Sequence, residues 1–177
     1  MISAMNLLKW QVKTARETFE GTVGDVTEEM LYKNPGGKAL PLGSQYIHVI
    51  CSEDAIINGM MQGKPPLFAS AWKDKTGISE PMPAMDEKWS ENNQTWAHAV
   101  KLSLPEFREY AKAVYAATDA YLETLTDADT EKEIDLGAWG KKTVYDLLSG
   151  FIIGHMYSLT GEISVLKGVS GAQGYPF

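Results

Sequence analysis

Residues 63–92, GKPPLFASAWKDKTGISEPMPAMDEKWSEN, are the stretch that decides how this chain folds. The stretch contains four prolines and has no sustained helical period, so it predicts a long connection between helices. Its large apolar side chains would be costly to leave in water; they are Phe68, Trp72, Met82, Met85 and Trp89. We therefore expect an ordered crossover that lies against the rest of the protein.

Two long helices are predicted before this crossover. The first runs from residue 3 to residue 23, and its apolar residues recur at steps of three and four: Met5, Leu8, Val12, Ala15, Phe19 and Val23. The second starts at Ser44 and ends near Gln62, where Gly63 supplies a stop signal. Between them, Thr27 is the predicted N-cap of a short helical turn.

Two further helices are predicted after the crossover. The third opens with the sequence SLPEF, in which Ser103 is a candidate N-cap and Glu106 completes a capping box. The fourth begins about Thr143 and continues to Lys167. Between these two helices, residues 131–144 mix apolar residues with two glycines, which is compatible with a short hairpin.

Four helices of about 20 residues around one core predict an all-α four-helix bundle, in a single domain that spans residues 1–177. A connection of roughly 30 residues can reach along a bundle about 30 Å long. The second and third helices can therefore run in the same direction. We predict an up-down-down-up bundle with the long crossover between helices 2 and 3.

The composition excludes some classes of function. The formal net charge is −7 and no run of Lys or Arg is present, so a nucleic-acid partner is not expected. No stretch approaches 18 consecutive apolar residues and the N-terminus has no signal-peptide pattern, so we expect a soluble cytoplasmic protein without a membrane partner. The single cysteine, Cys51, indicates a reducing compartment, and a small buried apolar residue is favoured over a reactive thiol.

The three histidines, His48, His98 and His155, are the candidate site residues. A lone histidine on a helix is more often a hydrogen-bonded structural residue, and we expect His98 to be partly exposed. His48 and His155 lie among apolar residues of two core helices, where an imidazole needs a compensating partner. Because neutral imidazole is a common metal ligand and bundle cores build metal sites from facing helices, the pair is a candidate metal site.

The sequence around His155 does not complete such a site. A second ligand on the same helix is expected three or four residues away, and the residues at those positions are Phe151, Ile152, Ser158 and Leu159. None of them is a good ligand for a divalent ion. Glu162 shares the helix face but lies roughly 10 Å along the axis, too far for joint coordination.

The same residues carry a resemblance to a known family. It rests on the early histidine of helix 2, on SLPEF, on HMYSLTGEISVLKG in helix 4, and on the tail GAQGYPF. The chain resembles the DinB/YfiT-like superfamily of bacterial four-helix proteins, which are often described as metal-dependent enzymes, and the resemblance covers nearly its whole length. It implies an up-down-down-up bundle that holds a divalent metal, and it makes a homodimer an expectation.

The resemblance also implies a set of metal ligands. In that family three histidines hold the metal, one from helix 2 and an H-x-x-x-H pair from helix 4. His48 matches the helix 2 ligand, and His155 matches the first member of the pair. The second member falls on Leu159, which cannot bind a metal ion. The implied metal site is therefore altered at one ligand position.

One hypothesis is a metal-dependent enzyme of the thiol-dependent transferase or hydrolase type, as the resemblance implies. His48 and His155 would hold Zn²⁺ or Ni²⁺, with a third ligand supplied by His98 or by a carboxylate, Asp54 or Glu53. The metal would lower the pKa of a bound water or thiol and activate it as a nucleophile.

The alternative hypothesis is a non-catalytic module that has lost its metal and binds a small molecule or a partner. Leu159 would then extend the apolar core, and His48 and His155 would be hydrogen-bonded to each other or to water. The cleft for a small-molecule ligand would be lined by aromatic residues, for which the candidates are Trp72, Trp89, Trp96 and Tyr157. The sequence leaves open whether the protein is an enzyme.

Overall fold

The computed structural model describes residues 3–84 and 88–177, so the expected packing of Met85 lies outside the described residues. The α-helices are α1 Ala4–Val23, α2 Glu28–Tyr32, α3 Leu42–Asp54, α4 Trp89–Ala99, α5 Leu104–Leu122, α6 Val144–Asp146 and α7 His155–Val169. Two π-helical segments continue them, Ala55–Met61 after α3 and Leu147–Gly154 between α6 and α7. Short 3₁₀ turns cover Leu67–Ala69, Asp127–Glu131 and Gly137–Trp139. The predicted hairpin is confirmed as β1 Glu133–Asp135 paired antiparallel with β2 Lys141–Thr143.

The helix ends follow local side-chain chemistry at two predicted positions. Thr27 accepts a hydrogen bond from the backbone N–H of Met30, and Thr143 forms a reciprocal capping box with Asp146. The capping box predicted at Ser103 was wrong. Ser103 is the N-cap residue of α5, but its side chain makes no capping bond among the described residues.

The crossover explains why that capping box is missing. The backbone N–H of Ser103 donates to the carbonyl of Gly77 at 2.8 Å, so the crossover backbone packs against the first turn of α5. Gly77 has a φ of +76°, and a Cβ atom there would lie only 2.8 Å from the Ser103 carbonyl oxygen. Backbone contacts to the crossover therefore take the place of the side-chain cap.

The long helices form an all-α bundle, as predicted. α3 and α5 run in the same direction, because Tyr46 packs against Phe107 while Glu53, about two turns later in α3, accepts a hydrogen bond from Thr118, about three turns later in α5. α1 runs against both of them, since Phe19 packs against Tyr46 while Arg16, earlier in α1, reaches Glu53, later in α3. Contacts between α3 and α7, described below, are antiparallel. The arrangement is up-down-down-up.

The described part of the crossover is ordered against this bundle. The buried carboxylate of Asp54 accepts hydrogen bonds from the backbone N–H groups of Leu67 and Phe68, and also from the Tyr110 hydroxyl. Farther along, Ile78 forms an isolated bridge with Leu102 just before α5. Crossover side chains pack partly buried against the core, among them Phe68, Trp72 and Met82. These contacts confirm an ordered crossover over its described residues.

The core lies between α1, α3, α5 and the last long helix. Its largest fully buried side chains include Phe19, Tyr46, Phe107 and Tyr110, with neighbouring rings in edge or tilted contact. No helix among the described residues is both long and apolar enough to cross a membrane.

α4 is a helix that the sequence pattern did not predict. Its residues are mostly polar, and only Trp96 and Ala97 are buried, so no apolar stripe marks the segment. The helix nevertheless packs against α3. It forms one wall of the site that contains His48.

Candidate ligand site at the histidine pair

The structure brings two of the three histidines together. His48 lies in the second turn of α3, and His155 is the first residue of α7, directly after the π-helical segment. The two Nε2 atoms are 3.1 Å apart, and the rings meet nearly edge to face at 80°. The antiparallel course of α3 and α7 is what allows residues so far apart in sequence to meet.

Both rings are neutral at neutral pH. Burial lowers the pKa of His48 to about 4, helped by the nearby His155 ring, and burial also lowers the pKa of His155. One ring therefore donates and the other accepts in a single N–H···N hydrogen bond.

The protonated nitrogen of each ring follows from the surroundings. Nδ1 of His48 is buried and has no hydrogen-bond partner among the described residues. A proton there would be an unsatisfied buried donor, so we assign the His48 proton to Nε2, which donates to Nε2 of His155. The two facing Nε2 atoms therefore satisfy each other's hydrogen-bonding requirement.

His98 lies apart from this pair. It is exposed on α4, and its Nε2 atom lies 3.1 Å from Nε2 of Gln94 on the same helix. Trp96, two residues earlier, is buried, so His98 occupies the solvent side of α4. The structure does not bring His98 into the site.

The two carboxylates considered as third ligands are engaged in packing. Glu53 accepts from Arg16 at 3.2 Å and from Thr118 at 2.6 Å. Asp54 accepts the crossover N–H groups and the Tyr110 hydroxyl. Both side chains are buried away from the histidine pair by these bonds.

The residues present do not fit the complete metal site that the family resemblance implies. The Nε2 separation suits two ligands of one tetrahedral Zn²⁺, for which about 3.3 Å is expected from Zn–N bonds of about 2.05 Å. Leu159, however, is an apolar side chain at the third position. Within residues 3–84 and 88–177, no group of three or more His, Cys, Asp or Glu residues is placed to hold a metal ion. Nδ1 of His48 also lacks the acceptor that a metal-bound histidine ordinarily has.

An open cavity of about 220 Å³ lies over His48. Its apolar walls come from Leu40, Trp89, Trp96 and Leu159. Its polar lining comes from Ser44, Gln45, His48, Asn93 and Glu162. A concave site with apolar walls and a few convergent polar groups is typical of small-molecule binding.

The polar lining contains residues that the sequence interpretation did not select. Nε2 of Gln45 donates to Oε2 of Glu162 at 2.6 Å, which connects α3 to α7 across the cavity. Glu162 shares a helix face with His155 at a spacing of seven residues, and that spacing was the signal available in the sequence. Asn93 had no such signal because α4 was not predicted.

Two of the four aromatic residues expected to line a cleft do so. Trp89 and Trp96 line the cavity, and the Trp89 ring lies 6.0 Å from the His48 ring. Trp72 instead packs against Tyr110 in the core, and Tyr157 is exposed on α7. The tryptophans of α4 therefore form the aromatic wall.

Comparison with known proteins identifies the family of this chain. The family model of the DinB superfamily matches residues 11–157. This chain belongs to the DinB superfamily. The matched range contains His48, His98 and His155, whereas Leu159 and Glu162 follow it.

The fold of this DinB-superfamily chain is also seen in a crystal structure of a conserved protein from Enterococcus faecalis. The two structures align with a TM-score of 0.73 at 19% sequence identity, over 96% of this chain and 98% of the other. At that identity the likeness shows the fold alone. The comparison with curated proteins returned no match.

Proposed function

We propose that this protein binds a small organic molecule in the cavity lined by His48, beside its hydrogen bond with His155, and that it does so without a metal ion. The observation that supports the proposal is the self-paired, neutral state of the two histidines beside an open cavity. The position that would supply the third imidazole is occupied by Leu159, which is 7% exposed and forms part of the cavity wall. The surface left for a ligand is aromatic and amide-rich.

The size of the cavity limits the ligand. A volume of about 220 Å³ is below the roughly 300–1,000 Å³ of pockets that hold drug-sized molecules. We therefore expect a ligand of roughly ten non-hydrogen atoms, held between the tryptophan wall and the polar groups of α3 and α7.

Metal binding is the property that tests this proposal most directly. The untagged protein is incubated with Zn²⁺ or Ni²⁺, freed of excess metal, and measured by elemental analysis. We expect fewer than about 0.1 equivalents for the natural chain, because two imidazoles alone do not complete a site. Leu159→His places a third imidazole one turn after His155, and we expect that variant to hold about one equivalent.

Two controls define the result. Val165→His adds a histidine to α7 at a side chain that is 64% exposed, and it should not acquire tightly held metal. The double variant Leu159→His/His155→Ala should lose the metal that Leu159→His gained. About one equivalent in the natural chain, abolished by His155→Ala, would overturn the metal-free proposal.

A metal-dependent enzyme of the thiol-dependent transferase or hydrolase type is the second candidate. The convergence of two Nε2 atoms at 3.1 Å is the observation that favours it. It requires a third donor, which the described His, Cys, Asp and Glu residues do not supply. The same elemental analysis separates the two candidates.

A further inference from the structure

We infer that the cavity selects a ligand with a positively charged group, a small protonated amine, which Glu162 and the tryptophan wall recognise. This inference rests on the proposed binding function and adds the chemical class of the ligand. Three features of the lining support it: its charge, its aromatic wall and its hydrogen-bonding groups.

The charge of the lining is one-sided. Among the cavity residues that the structure describes, Glu162 carries the formal negative charge and no Lys or Arg is present. Nε2 of His48 is paired with Nε2 of His155 at 3.1 Å and not with Glu162, so the carboxylate has no imidazole partner among the described residues. An anionic ligand would meet a like charge without a compensating cation, whereas an amine would meet an opposite charge.

The carboxylate is positioned to receive such a group. Gln45 donates to Oε2 of Glu162, which restrains the carboxylate, and Oε1 makes no hydrogen bond within the described part of the chain. Ser44, a lining residue, donates its hydroxyl proton to the carbonyl of Pro41, so toward a ligand its hydroxyl oxygen can act only as an acceptor. An ammonium group has three donors and no acceptor, which complements this lining.

The aromatic wall favours the same charge. Indole faces attract cations more strongly than other aromatic faces do, and a cation–π contact contributes about 0.5–1 kcal/mol at exposed sites. Trp89 and Trp96 both line the cavity. Nε1 of Trp96 donates to the carbonyl of Glu80 at 3.2 Å, so this ring is held in place by the crossover. A ligand that carries an apolar body and an ammonium end fits both parts of the lining.

Three probes of similar shape but different charge test whether charge determines binding. 2-Phenylethylamine is cationic at pH 7, 2-phenylethanol is its neutral counterpart, and phenylacetate is anionic. Binding to the full chain is measured by isothermal titration and by tryptophan fluorescence. We expect the amine to bind at least about tenfold more tightly than the alcohol, and phenylacetate to bind more weakly than the alcohol.

Glu162→Gln provides the matched test of the carboxylate. Because Glu162 is exposed, the variant is expected to fold, which thermal unfolding checks. The amine should then bind within about fivefold of the alcohol, the preference that the indole faces retain, while the affinity for the alcohol stays the same. Glu17→Gln, the same charge change at an exposed position of α1, should leave all three affinities unchanged.

The outcomes distinguish this inference from the function on which it rests. Equal affinities for amine and alcohol, unaffected by Glu162→Gln, would overturn the charge preference and leave the binding cavity supported. If none of the three probes binds at about 10 mM, both the charge preference and the proposed binding function are wrong. If Asn93→Trp, which fills the cavity, leaves the amine affinity unchanged, the amine binds elsewhere and the inference fails.

Discussion

His48 is the residue whose environment contributes most to the chemistry of this protein. A partly buried imidazole is favoured in a neutral, hydrogen-bonded form. Burial lowers the pKa of His48, and its Nε2 faces Nε2 of His155. A hydrogen bond thus joins the two nitrogens for which the family resemblance implies metal ligation. The consequence is a pair of groups that resist protonation.

This resistance predicts a pH dependence of stability. The pKa of His48 is about 4 in the folded protein and about 6.5 when unfolded, so between these values the unfolded state binds more protons. The stabilisation is complete above pH 6.5 and is lost as the pH falls through 4. We expect the free energy of unfolding in urea to decrease by about 1–3 kcal/mol between pH 7 and pH 4 because of this residue.

The contribution of His48 is isolated by variants. His48→Gln should reduce the decrease between pH 7 and pH 4, whereas His98→Gln, at an exposed histidine outside the pair, should not. Equal pH dependence in the natural protein and in His48→Gln would show that the pair does not resist protonation.

The surroundings of Cys51 agree with its interpretation from the sequence as a small buried residue. Its side chain is 4% exposed, and burial raises the pKa of the thiol to about 12. The thiol is therefore protonated at neutral pH and is a poor nucleophile. A small buried apolar residue, the reading favoured from the sequence, describes its position well.

At the scale of the elements, a π-helical segment adjoins each of the two helices that carry the paired histidines, α3 and α7. The segment Ala55–Met61 continues α3, and Leu147–Gly154 leads directly into His155. A π-helical turn includes an extra residue, so it changes which face the following residues present. The 3.6-residue period of the sequence predicted one regular helix here and had no means to indicate this change.

The helix caps give a prediction at the same scale. Thr143 makes a reciprocal capping box with Asp146, whereas Ser103 makes no side-chain cap within the described residues. We expect Thr143→Ala to lower the free energy of unfolding by about 1 kcal/mol and Ser103→Ala to lower it by less than about 0.5 kcal/mol. Urea unfolding of the two variants measures the difference.

Each variant serves as the control for the other, since both substitutions remove a hydroxyl from an N-cap residue. Equal losses in the two variants would mean that the Ser103 hydroxyl does cap α5 in solution. The sequence alone predicted a capping box at Ser103, because the motif SLPEF is local and the crossover contact at Gly77 is not.

At the scale of the whole molecule, one largely buried cation connects three helices. Arg16 of α1 donates to Glu53 of α3 at 3.2 Å and to Asp119 of α5 at 2.8 Å. Glu53 is 2% exposed, and burial raises the pKa of its carboxyl despite the nearby guanidinium. Removal of the cation leaves a charged or newly protonated group in the core.

We therefore expect Arg16→Met to destabilise the protein by about 3–5 kcal/mol, measured by urea unfolding. The double variant Arg16→Met/Glu53→Gln removes both charges and keeps an acceptor for Thr118, so it should recover at least half of the loss. Lys13→Met, at an exposed residue that pairs with Glu17 on α1, should change stability by less than about 0.5 kcal/mol. A loss below about 1 kcal/mol for Arg16→Met would show that the buried pair contributes little.

The sequence by itself determined the long helices, their approximate ends and the parallel course of α3 and α5. Apolar periodicity, proline and glycine act over a few residues, and the length of the crossover sets its reach, so these features are local. Only the tertiary structure decided that His48 meets His155 and that Gln45 reaches Glu162. For His98 the sequence offered an exposed position or a third-ligand role, and the structure places it in the exposed position. Those contacts depend on the rotation of each helix about its axis and on α4, which long-range packing sets.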